Sequence, residues 1–159
     1  ITTLSGQIYE AIKSSTSIGK SIESDSESVS DELTHELIIA AADIVREAGF
    51  LRALLMPRFM EVLLDTTAYQ RKLFIESAIV AEDLAAFKDY QDLFGISDQP
   101  VFIVGESRRC KIFKQMVKAF KIDVPDFITV SGELDIDNLN IYGALAIAAK
   151  VTNCEADRR

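Results

Sequence analysis

The stretch Val101-Phe102-Ile103-Val104-Gly105-Glu106-Ser107-Arg108-Arg109 decides how this chain is read. It opens with four apolar residues, three of them β-branched, which predict a short buried strand. Gly105 carries no Cβ and so allows a sharp exit from that strand. Ser107 is placed to N-cap a helix in which Ile112, Phe113, Met116, Val117 and Phe120 recur with helical spacing. In α/β proteins ligands sit at such a strand–glycine–helix edge, because free N–H groups and the helix dipole point outward there. The same arrangement also serves as plain architecture.

Charge adds to the ligand reading. The chain carries a net charge of -8, yet residues 107–122 hold Arg108, Arg109, Lys111, Lys114, Lys118 and Lys121 and no carboxylate. A cationic helix on an acidic protein attracts polyanions, although a solvated helix face has the same composition. Arg108 and Arg109 fall in the first turn, where they oppose the helix dipole, so a reason other than helix stability is expected for them.

Composition bounds the rest. With 159 residues, 48% hydrophobic and 26% charged, the chain reads as one globular domain over 1–150 and a flexible tail over 151–159. A sequence pI near 4.7 disfavours nucleic acid as a partner. Cys110 and Cys154 are too few for a disulfide framework, so a reducing, cytoplasmic setting is expected. No segment reaches the roughly 18 apolar residues of a membrane span, and no signal peptide is evident. The chain opens on Ile1-Thr2-Thr3-Leu4, which reads like a strand entered midway and suggests the later portion of something longer.

Outward from the central stretch the elements alternate between helix signals and turns. A helix with Ile8, Tyr9 and Ile12 inward is expected after Ser5-Gly6, weakened by Ser14 to Ser17 and stopped by Gly19. The serine-rich, acidic residues 21–31 read as a surface loop or an approach to the next helix. An amphipathic helix runs from Leu33 to Ala48 and ends at Gly49, with His35, the only histidine, on its polar side. Pro57 divides or bends the helical residues 50–64. Asp65-Thr66-Thr67 offers a cap for the longest helix, 69–94, whose middle is apolar on nearly every side. Glu76, Glu82 and Asp83 on it resemble a carboxylate cluster, but no His or Cys accompanies them, which argues against a metal site. A second strand is expected over 126–130, a turn at Ser131-Gly132, polar residues 135–140, and a last small-residue helix over 141–151 that packs closely on a neighbouring element or a second domain.

Several of these segments together resemble a known family. Ser5-Gly6-Gln7-Ile8 is similar to the "TGEL" segment that opens the later half of the 2-dehydro-3-deoxygalactonate kinases, with Gln7 where the family has glutamate. Residues 59–84 resemble that family's paired helices, with Ser77 and Ala81 replacing two glycines and Asp83 holding the acidic position. Residues 101–121 are similar to its strand-G-x-S-helix, and Ile141-Tyr142-Gly143-Ala144-Leu145-Ala146 to its last helix. The resemblance implies a helix-rich α/β fold with a small sheet of few strands, the C-terminal portion of an actin-like ATPase (ribonuclease H-like) lobe.

For function, the resemblance implies part of an ATP-dependent sugar-acid kinase that phosphorylates a 2-keto-3-deoxy sugar acid. Gly105, Glu106, Ser107 and Arg108 would lie on the adenosine side of the cleft, with ATP and Mg as cofactors. The partners implied are an N-terminal lobe of the same protein and a small sugar-acid substrate, with no nucleic acid and no membrane; a homodimer is left open. The family's glycine-rich aspartate loop and its "GTH" phosphate segment do not occur here, so no catalytic residue is assigned and the chain alone is expected to be inactive. Two other readings stand beside this one. The chain is a regulatory or ligand-binding module that kept the lobe's shape and lost its chemistry, or an interaction domain whose last helix docks a partner.

Overall fold

The computed structural model describes residues 4–23, 34–95, 100–124 and 126–156. In order the elements are α1 (Ser5–Ser15), α2 (Ser17–Ile22), α3 (His35–Ala48), α4 (Phe50–Ala53), α5 (Met56–Leu63), α6 (Ala68–Phe94), β1 (Val101–Val104), α7 (Ser107–Ala119), β2 (Phe127–Val130) and α8 (Glu133–Ala156). This is a helix-rich α/β arrangement with one small sheet, in which β1 and β2 run parallel with Phe102 opposite Ile128 and Val104 opposite Val130.

The long helix α6 organises everything else. Thr67 and Gln70 close a capping box at its start, and Gly95, in the left-handed conformation at φ 61° and ψ 38°, ends it. Residues 73–81 are buried without a break, which the all-round apolar sequence requires. One side of α6 (Leu73, Phe74, Ala78, Val80) packs with Ile38, Ala41 and Val45 of α3 and with Ile112 and Met116 of α7. The other side, Ile75 and Ile79, packs with Tyr9, Ile12 and Ile22 from α1 and α2. Burying each such side chain is worth about 1.5–3 kcal/mol against roughly 1 kcal/mol for a good N-cap, and α6 buries many of them, so burial sets its position and the box only trims its end.

Gly19 does not stop the first helix. It lies inside α2, and a Cβ there would collide with the Lys13 carbonyl oxygen, so its bare Cα lets α2 butt against the end of α1. The break comes at Thr16, whose Oγ1 donates to the Ile12 carbonyl at 2.7 Å and accepts from Gly19 N–H at 3.3 Å. Tyr9 and Ile12 are buried as expected, but Ile8 faces out. Ser21 and Ile22 are buried in α2 and not in a loop. Residues 24–31 of the serine-rich stretch, Leu33 of the helix expected after it, and residues 1–3 of the strand expected at the start lie outside the described residues.

Pro57 sits in the first turn of α5, where its missing N–H costs nothing, and so separates α4 from α5. Gly49 ends α3 at φ 89°. His35 is exposed.

Two expectations for the carboxy-terminal third are corrected. The strand 101–104 is covered on one side only: Phe102 is 60% exposed and Val104 45%. Four apolar residues are compatible with burial on both faces, but α7 and α6 reach only one. The last helix begins at Glu133 and not near Ile141, so the polar residues 135–140 form its first turns. No residue from 134 to 149 is buried, so the helix packs closely on none of the described elements. Its backbone stays helical to Ala156, past residue 150.

Candidate functional site

The carbonyl end of β1 and the start of α7 meet the middle of α6 and the first residue of α1 around a surface hollow of about 340 Å³. Ligand sites commonly begin at about this volume. Its walls are Val80, Phe87, Tyr90 and Phe113; β1 forms one flank, and Ser5, Asp83, Glu106, Arg109 and Cys110 supply the polar positions. Val101 N–H donates to the Asp126 carbonyl at 2.9 Å and Gly105 N–H to the Val130 carbonyl at 3.1 Å. Backbone groups alternate along a strand, so those of Phe102 and Val104 point away from β2 and line the free edge.

Of the four residues expected on the adenosine side, Gly105 and Glu106 line this hollow, whereas Ser107 and Arg108 do not. Ser107 is the first residue of α7 and not its cap; Glu106 holds the N-cap position, without a side-chain cap bond. Arg108 turns inward. Its Nε lies 2.6 Å from Oε2 of Glu76, which is buried in α6, and its guanidinium stacks over the Tyr69 ring at 4.7 Å.

Arg109, which sequence reasoning did not place in the site, does line it. Its Nε lies 3.3 Å from Glu106 Oε2, and its guanidinium lies 4.8 Å over the Tyr9 ring. The direction a side chain would take at Gly6 ends 3.7 Å from its Nη1, so the Ser5-Gly6 segment and the Gly105-Glu106 bend are neighbours. The two arginines that oppose the dipole of α7 are thus explained: each is held by a carboxylate and a tyrosine ring. The lysines are not part of the site, since Lys111, Lys118 and Lys121 are exposed and none lines the hollow.

Burial shapes the acid–base behaviour here. Glu76 is pushed above the usual carboxylate range by desolvation, with Arg108 pulling the other way. Burial raises the Tyr9 phenol strongly, and the neighbouring Glu76 charge adds to it. The Cys110 thiol is pushed up by burial and by Glu106, so at neutral pH it is a protonated, weakly nucleophilic group. Glu76, Glu82 and Asp83 do not form the cluster that their spacing suggested: Glu76 is buried against Arg108, Glu82 is exposed and Asp83 lies on the hollow. Among the described residues no group of three His, Cys, Asp or Glu side chains assembles that could hold a metal ion.

The wall contributed by α6 was visible in the sequence in one respect. Val80, Asp83, Phe87 and Tyr90 are spaced by three, four and three residues and so share one face of the helix. No helix among the described residues is long and apolar enough to cross a membrane. Comparison with family models, curated proteins and solved structures finds no match to this chain.

Proposed function

We propose that this chain is the C-terminal part of an ATP-dependent sugar-acid kinase acting on a 2-keto-3-deoxy sugar acid, and that the hollow is the adenosine side of its cleft. The observation that carries the reading is that the Gly105-Glu106 bend opens on a surface hollow and is not covered by other side chains. Val80, Phe87 and Phe113 offer apolar faces for a purine, and the free edge of β1 offers peptide groups for its polar rim. Arg109 is the one guanidinium on the hollow among the described residues, and Asp83 and Glu106 are nearby. That balance suits an uncharged nucleoside better than a triphosphate, whose phosphates would extend away toward the other lobe. No chemical step is assigned to the described residues.

The test is binding. Adenosine and ATP titrated into the chain by calorimetry should bind with similar affinity, and Val80→Trp, which fills the hollow, should remove both. Failure of either compound to bind at millimolar concentration overturns the nucleoside reading. The substrate reading is tested separately, by ATP-dependent phosphorylation of 2-keto-3-deoxy sugar acids in the longer protein.

A second reading, a non-catalytic ligand-binding module, is favoured by one observation: Arg108 is committed to Glu76, and no lysine of α7 lines the hollow. Binding of another small metabolite in the hollow, with no response to adenosine, would select it.

A further inference from the structure

Two surfaces of this chain are apolar and open. One is the face of the sheet away from α7, where Phe102, Val104 and Ile128 lie 60, 45 and 39% exposed. The other is α8, on which Leu134, Tyr142 and Ile147 reach 78, 70 and 67%. Parallel strands normally have both faces covered by helices, so each surface is what the other lacks.

The apolar residues of α8 fall on two opposite sides. Leu134, Ile141 and Leu145 follow one another at i, i+7 and i+11, whereas Leu139, Gly143 and Ile147 follow at i, i+4 and i+8 on the far side. A helix that is apolar on two opposite sides has two faces to bury. Folded back on its own sheet, α8 would cover one stripe and leave the other wet. The connection from β2 is only Ser131-Gly132, and it is tight: a Cβ at Gly132 would lie 2.9 Å from Asp135 Oδ2. Short hinges of this kind favour exchange of an element between copies.

We propose that a second copy of this chain completes both surfaces by exchange of α8. The stripe of Leu134, Ile141 and Leu145 lies on the open sheet face of the other copy, and the stripe of Leu139, Gly143 and Ile147 packs against its counterpart about the two-fold axis. The first stripe extends about 16 Å along the helix. The four-residue strands it would cover extend about 13 Å. The exposed apolar residues together are of the order of the 800 Å² per partner that a standard interface buries. This inference uses none of the residues of α6 or α7 that line the hollow, but Phe102 and Val104 of β1 belong both to the flank of the hollow and to the face that α8 would cover.

The experiment uses the full 159-residue chain. Light scattering after size exclusion should give twice the 17.6 kDa of one chain, and Leu145→Glu should return it to a monomer. In a Cys154→Ser background, Ile128→Cys and Leu145→Cys are made separately, mixed and oxidised. A disulfide joining the two unlike chains is the expected result. A monomeric wild-type chain overturns the proposal and leaves α8 to a different polypeptide. A dimer whose mixed variants do not cross-link overturns it too. So does an intrachain disulfide in a single chain carrying both Ile128→Cys and Leu145→Cys, which would mean that α8 closes on its own sheet.

Discussion

Arg108 Nε and Glu76 Oε2 are 2.6 Å apart, so a charge from the first turn of α7 is neutralised inside α6. The carboxylate is almost wholly enclosed and its partner is 17% exposed, so loss of the arginine would strand a buried acid. Arg108→Ala leaves a buried acid without its counter-charge and is expected to cost about 3–5 kcal/mol in urea unfolding. The double variant Glu76→Leu/Arg108→Met removes both charges and should cost far less. Equal losses in the single and double variants would mean that the ion pair contributes no more than its packing.

The same pair sets a pH dependence. Burial holds the folded-state pKa of Glu76 above the ordinary value of 4.5, despite the pull of Arg108. For an acid raised in the folded state, stability is fully present below the unfolded pKa and is lost as pH rises through the folded one. The difference in unfolding free energy between wild type and Glu76→Gln should therefore favour wild type most at acid pH and shrink from about 4.5 upward. Urea titrations at a series of pH values measure it; a difference that grows with rising pH would reverse the sign assigned here.

Gly19→Ala should destabilise the chain, although alanine is the better helix former. The added carbon would collide with the Lys13 carbonyl oxygen, and the two helices must separate to admit it. A loss of about 1–3 kcal/mol is expected, as for other overpacked sites. A gain in thermal midpoint would show that α2 can shift freely, and with it Ser21, whose carbonyl accepts from Arg71 Nε at 2.5 Å.

Cys110 is a reporter for the hollow. It is buried on that wall and its thiol is held protonated, so in a Cys154→Ser background it should react with a disulfide reagent far more slowly than in denaturant. A compound that fills the hollow should slow it further. Rapid labelling of the native protein, unchanged by such a compound, would place the thiol on an open surface.

The helical framework was legible in the sequence because its signals are local. The 3.6 period of α3, the proline in the first turn of α5, the Thr67 cap and the glycine after α6 each act within one or two turns. What the sequence hid depends on distant partners. Nothing near Arg108 reveals that it meets Glu76 or that Tyr69 lies beneath it, so the basic first turn read as a ligand site when half of it is internal wiring. Gly19 read as a stop because its role is to admit the Lys13 carbonyl, a steric fact of tertiary packing. The coverage of a strand depends in the same way on how many helices reach it, which four apolar letters do not record.

Because both apolar clusters lean on α6, neither half of the molecule can be cut free of the other. A shortened gene that stops before Thr67, or one that starts beyond Gly95, would encode elements with no floor to rest on. Shortening from the far end is another matter: a stop codon just past Val130 spares every residue of both clusters and takes away only α8.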